Sequence, residues 1–140
     1  MANPAVPRYQ VLGVNNNENF EHYKNVYRTL NVNFAILNSV DGYDEISLTA
    51  DTHLATKSED KLLSPAEFGM PQIAPEKLFG GNSVEDAAKI FIDVLKGNGT
   101  AEQTNVVLAN AAISLQVVFP DKPLTECVEM ARESLLGGKA

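Results

Sequence analysis

Apolar residues change their spacing twice within the first forty positions. Gln10-Val11-Leu12-Gly13-Val14 is a short apolar run that predicts one strand. Phe20, Tyr23, Val26, Tyr27 and Leu30 then recur at helical spacing, and Asn17 can cap that helix. From Asn33 to Val40 the apolar character is continuous through Phe34-Ala35-Ile36-Leu37, as in a parallel strand buried on both faces. Strand, helix and strand make a βαβ unit, with a right-handed crossover in nearly all folds. Such a unit places residues 14–17 and 38–45 at one edge of the sheet. Ligands bind outside the carboxyl ends of strands in α/β folds, so both are candidate ligand loops.

The pattern is more mixed further on. Ile46, Ser47, Leu48 and Thr49 alternate as in a strand, and residues 52–56 with Leu62-Leu63 predict a small hairpin, antiparallel at an edge. Ser64-Pro65-Ala66-Glu67 is a capping box with proline at the first helical position, so a short helical turn runs to Gly69. Ser83 caps a helix that carries Val84, Ala87, Ala88, Phe91, Val94 and Leu95 on one face and stops at Gly97. Thr100-Ala101-Glu102-Gln103 is a second capping box. The helix it opens is so apolar from Val106 to Val118 that burial on most sides is expected. Pro123 begins a last amphipathic helix through Leu124, Cys127, Val128, Ala131 and Leu135. Two parallel strands cannot cover that much helix surface. The expected class is therefore α/β, with a partial, mostly parallel sheet and packed helices. Residues 1–140 then form a single unit that is part of a larger α/β domain.

Composition narrows the function. A formal charge of −7 argues against nucleic acid, which demands a basic footprint. No apolar run approaches the ~20 residues of a membrane helix, and no basic-then-apolar leader opens the sequence. The single cysteine, Cys127, cannot close a disulfide within the chain, so a reducing, cytoplasmic setting is expected. Cys127 falls on the apolar face of the last helix, as an inert core thiol does. His22 and His53 have no partner at metal-ligand spacing.

The chemistry is concentrated in Asp41-Gly42-Tyr43-Asp44-Glu45-Ile46-Ser47, directly after the buried strand. Adjacent carboxylates there suit Mg²⁺, which takes one or two carboxylate oxygens and shares its coordination with substrate phosphates. An acidic turn of this kind is also common on solvated surfaces. Side chains alternate along a regular strand, so Asp44 and Glu45 either share a turn at Gly42 or hold two separate ions. Phosphate would need cations, and Lys57 and Lys61 are the nearest downstream. Either the metal carries most of the neutralisation or the phosphate grip lies on other chain. Gly97-Asn98-Gly99-Thr100 precedes a helix but lacks the lysine and spacing of a phosphate loop.

Six blocks in register give the chain a family likeness. Asn3-Pro4-Ala5 with Pro7, residues 10–14 and residues 41–47 resemble the anthranilate phosphoribosyltransferase family. So do Leu63-Ser64-Pro65-Ala66-Glu67-Phe68-Gly69, Leu78-Phe79-Gly80-Gly81-Asn82 and Val107-Leu108-Ala109-Asn110-Ala111-Ala112. The resemblance implies transfer of a phosphoribosyl group from 5-phosphoribosyl 1-diphosphate to anthranilate in tryptophan biosynthesis, with Mg²⁺ on the diphosphate. By the same resemblance Asp44 and Glu45 match the metal-binding acidic pair, and Asn3-Pro4 end a stretch bordering the anthranilate pocket. No catalytic residue is assigned. The family's Gly-Thr-Gly-Gly-Asp diphosphate loop, its Lys-His-Gly-Asn segment and its anthranilate-binding arginine precede the Asn-Pro dipeptide. The likeness is thus to the carboxyl-terminal portion alone, without the helical domain through which the intact homodimer forms. A chain of that kind is expected to be inactive by itself. Two alternatives stand beside it: a related phosphorylase or phosphoribosyltransferase with another nucleophile, and a non-enzymatic divalent-metal-binding module.

Overall fold

A computed structural model describes residues 7–140. Strand β1 (Tyr9–Gly13) leads through helix α1 (Asn17–Arg28) to β2 (Asn33–Ser39). A loop over residues 40–51 precedes the hairpin of β3 (Thr52–Thr56) and β4 (Asp60–Leu63). Two single 3₁₀ turns, Pro65–Phe68 and Pro75–Leu78, then lead to α2 (Val84–Leu95), α3 (Ala101–Val118) and α4 (Leu124–Leu136). The sheet order is β1-β2-β3-β4. The β1–β2 pair is parallel, as a βαβ unit requires, while β2–β3 and β3–β4 are antiparallel.

The α/β class stands, but the sheet is mixed rather than mostly parallel. The β3–β4 pair is the expected hairpin, since residues 57–59 are all that separate the strands and so short a connection joins antiparallel strands only. The departure is at β2–β3, where a loop with no crossover helix brings the chain back antiparallel. The segment Ile46–Thr49 is not a strand either. Its four residues are all buried in the loop. The alternation has another origin, because Ile46 and Leu48 enter the core while Ser47 and Thr49 turn their hydroxyls to polar partners.

β2 explains the layering. Phe34 and Ile36 pack with Phe20, Tyr27 and Ala55 on the α1 side. Ala35 and Leu37 pack with Leu54, Leu108, Ile113 and Cys127 on the other. Alternate side chains of one strand thus serve two cores, which is why its sequence is apolar throughout. Phe34, Ile36 and Leu37 each contribute roughly 1.5–3 kcal/mol by burial. On the α1 side, Lys24 is buried and bridges Glu21 and Asp60, each at 2.6 Å, tying α1 to β4.

The caps fall almost where the residues predict. Asn16, one residue before the expected Asn17, accepts from the Asn19 N–H at 2.8 Å. Ser83 and Thr100 cap α2 and α3. Burial of those two helices departs from expectation. α3 buries Leu108, Ala109, Ala112 and Ile113 but leaves Val107 42% exposed. α2 buries only Val94, with Val84 81% and Phe91 65% exposed. The apolar face read from the sequence is present, but nothing among the described residues covers most of it. No helix among them is long and apolar enough to cross a membrane.

Candidate functional site

Because β1 and β2 are parallel, their carboxyl ends meet at one edge. The Val14 N–H donates to the Leu37 carbonyl at 2.9 Å, and Asn38 Nδ2 returns a bond to the Val14 carbonyl at 2.8 Å. The acidic loop leaves β2 at this edge. Gly42 takes φ +93° there, a conformation open mainly to glycine, and its N–H closes onto the Ser39 carbonyl at 2.9 Å. The Ser39 N–H then donates to the Tyr43 carbonyl at 2.9 Å.

Three further anchors fix the loop. At β1, Gly13 lets the loop come close: a Cβ there would stand 1.5 Å from the Asp44 carbonyl oxygen. Beneath the loop, the buried hydroxyls of Ser39 and Ser47 lie 3.1 Å apart, and Thr49 Oγ1 lies 2.7 Å from Ser47 Oγ. Thr49 also donates to the Asp41 carboxylate. Asp41 is therefore engaged in holding the turn. On the helical side, the Asn110 amide pairs with both backbone groups of Ile46, at 3.0 and 2.8 Å. Within this frame Leu48 is held at φ +60°, a left-handed conformation costing about 1–2 kcal/mol for a residue with a side chain.

Asp44 and Glu45 stand free at the top of the loop, both exposed. They lie on a turn, as Gly42 led us to expect, but they do not share one cavity. Asp44 lines a cavity of about 290 Å³ with Gln10, Val14, Asn19 and Tyr23, between β1 and α1. Glu45 lines one of about 370 Å³ between the loop, α2 and α3, otherwise walled largely by apolar groups such as Phe79, Phe91 and Val106. In each, that carboxylate residue is the sole charged lining residue among those described. Among the described residues no three His, Cys, Asp or Glu side chains are grouped to hold a metal unaided. The donor set fits a hard cation that brings most of its oxygens with it, as Mg²⁺ does on phosphates. It does not fit a cation caged by protein alone.

The lysines are elsewhere. β3 runs antiparallel to β2, with Thr52 opposite Ser39 and Thr56 opposite Ala35. Lys57 thus lies at the far end of the sheet, about 13 Å of strand away from the loop. It lines, with Lys61, Asn33 and Gln116, a separate cavity of about 220 Å³. Neither lysine can grip a phosphate beside Asp44. Asn3 and Pro4 lie outside the described residues. Cys127 is buried in the core, and burial raises its thiol above the ordinary range. His22 is exposed, and His53 packs against the Phe20 ring at 5.8 Å.

Sequence reasoning gave Asp41, Gly13 and Asn110 no role. Asn110 left a faint signal, being one of three polar side chains, with Ser114 and Gln116, in the apolar stretch from Val106 to Val118. Gly13 and Asp41 left none beyond their neighbours, since their roles depend on contacts across the chain.

Comparison with known proteins agrees with the geometry. The chain is 44% identical over all 140 residues to an anthranilate phosphoribosyltransferase of Phocaeicola vulgatus, spanning 42% of that protein. A relative of the same name from Cytophaga hutchinsonii is 42% identical over 140 residues, with 43% of its length covered. The chain thus spans about two-fifths of the length of these curated relatives. Among solved structures, anthranilate phosphoribosyltransferase from Thermus thermophilus superposes with a TM-score of 0.79 at 25% identity, over 91% of this chain and 38% of that one. The Saccharomyces cerevisiae enzyme in complex with PRPP and Mg shares the fold, with a TM-score of 0.82 at 21% identity over 94% of this chain and 38% of that one. The model of the glycosyl transferase family a/b domain matches residues 1–140, and the chain belongs to that family.

Proposed function

We propose that this chain carries the metal-holding part of an enzyme that transfers a phosphoribosyl group from 5-phosphoribosyl 1-diphosphate to anthranilate. The observation that carries the reading is 44% identity along the whole chain to relatives of that name. The acidic loop at the carboxyl edge of the sheet supports it.

In such a transfer the bond from ribose C1 to the diphosphate oxygen breaks with oxocarbenium character, as in glycoside chemistry. A divalent ion bound with the diphosphate would neutralise the charge that gathers on the leaving group. Asp44 and Glu45 are the donors this chain offers, and their separate cavities favour one carboxylate per ion over a shared chelate. The braced loop keeps both carboxylates in place without reorganisation during the reaction. Cations for the phosphate oxygens and the anthranilate pocket come, in this reading, from the preceding portion that the family resemblance implies, with Asn3 and Pro4 at its border. The homodimer also belongs to that intact enzyme, and a cytoplasmic setting fits a biosynthetic role.

Two measurements test the reading. The 140-residue chain alone forms no phosphoribosylanthranilate, whereas the chain joined to the preceding portion of a relative does. In that joined protein Asp44→Ala cuts Mg²⁺-dependent turnover far more than anthranilate binding. Unchanged Mg²⁺ dependence in the variant would remove Asp44 from the metal site.

A further inference from the structure

We propose that Asn110 is a positioning residue that sets the Glu45 end of the acidic loop from helix α3. This inference rests on the metal role given above to Asp44 and Glu45. The Ile46 N–H donates to Asn110 Oδ1 at 3.0 Å, and Asn110 Nδ2 donates to the Ile46 carbonyl at 2.8 Å. Nδ2 also reaches the Val106 carbonyl of its own helix at 2.9 Å, which fixes the rotation of the amide. One side chain therefore pairs with residue 46 as a neighbouring strand would, and sets both its place and its direction.

The Ile46 carbonyl belongs to the peptide unit that follows, and the Ile46 N–H to the one that joins Glu45 to Ile46. Fixing its plane limits the torsions from which the Glu45 side chain projects. The platform is firm, because Leu108, Ala109, Ala112 and Ile113 of the same helix are buried. At the loop's other end Asp41 is held by the Thr49 and Ser47 hydroxyls. Residues 43–45 between the two anchors are exposed. The arrangement is that of outer partners that orient metal ligands, whose loss weakens metal affinity by about 10–100-fold.

Asn110→Ala removes the pairing, and Asn110→Gln keeps the amide but moves it by one methylene, which preserves a folded chain should the alanine variant unfold. Leu135→Ala in α4 is the stability control, and Ser114→Ala, whose hydroxyl bonds only the Asn110 carbonyl in the same helix, is the helix control. The readouts are amide hydrogen exchange at residues 43–47 and Mn²⁺ affinity by water proton relaxation with inorganic diphosphate present, each measured on the whole chain. Both Asn110 variants speed exchange at Ile46 relative to β2 and weaken Mn²⁺ binding about tenfold. The Leu135 and Ser114 variants leave Mn²⁺ affinity unchanged while the chain is folded. Wild-type Mn²⁺ affinity retained in both Asn110 variants overturns the positioning role alone. No Mn²⁺ bound by the wild-type loop with diphosphate present, and with Ile46 still protected, overturns the metal reading and with it the purpose of the brace.

Discussion

The acidic loop and helix α2 face each other across the same groove, yet they are held in opposite ways. The loop has little regular structure, but Gly13, Asn110 and the hydroxyls of Ser39, Ser47 and Thr49 tie it from three sides. α2 is a regular, capped helix with Lys89 and Asp93 paired at 2.6 Å along it, and most of its apolar face is open. Regularity and fixation are therefore separate properties. The braces of the loop come from described residues of this chain, whereas nothing among those residues covers most of the apolar face of α2. On the proposed reading, the metal carboxylates are braced in advance while the apolar wall beside them is left open.

The largest effect that separates the two regions is at Ile46, 1% exposed at the base of the loop. Ile46→Ala costs about 2–5 kcal/mol by the cavity it leaves, while Ile92→Ala on α2, 47% exposed, costs much less. Urea unfolding of both variants measures the difference, and equal losses would erase the contrast. Next comes Gly13→Ala, which drives a methyl into the Asp44 carbonyl. It destabilises by roughly 1–3 kcal/mol and shifts the amide resonances of residues 43–45. Gly80→Ala at the groove's far wall, where a Cβ meets nothing within 4 Å, is its control and stays within about 0.5 kcal/mol.

Phe91→Ser tests the other side of the comparison. Stability changes by less than about 1 kcal/mol, because the ring is already in solvent, but concentration-dependent self-association falls. Analytical ultracentrifugation of the two proteins reads this directly. The smallest effect lies outside both regions, at Lys24. Hydrogen bonds to Asp60 and then Glu21 raise its pKa above the ordinary 10.5. A raised folded pKa contributes stability below the unfolded value and loses it as pH rises through the folded one. The stability gap between wild type and Lys24→Met is therefore full at neutral pH and closes above about pH 10.5, as thermal melts across that range would show.

Much of this was legible in the residues. Periodicity located β1, α1 and β2, and the capping boxes at Ser64 and Thr100 marked the starts of the turn at Pro65 and of α3. The acidic pair was visible because it follows a strand whose sides are both apolar. The antiparallel hairpin was visible in residues 52–56 with Leu62-Leu63, but not that β3 returns antiparallel beside β2 after the loop. The loop was misread as a strand at Ile46–Thr49, because core and hydrogen-bonding side chains happened to alternate. Its braces were invisible for a different reason. Asn110 and Ile46 are 64 residues apart, and an amide in a helix does not announce which backbone it will meet. The separate cavities of Asp44 and Glu45 likewise depend on the packing of α1 on one side of the loop and of α2 and α3 on the other, which sequence spacing alone does not place.

On the proposed reading, Asp44 and Glu45 of the braced loop each hold a divalent ion, and diphosphate strengthens that binding. Mn²⁺-induced broadening of assigned amide resonances, with and without inorganic diphosphate, tests it most directly. The account predicts broadening confined to the acidic loop, enhanced by diphosphate and reduced in both Asp44→Asn and Glu45→Gln. Broadening spread over the acidic surface and indifferent to both substitutions would contradict it.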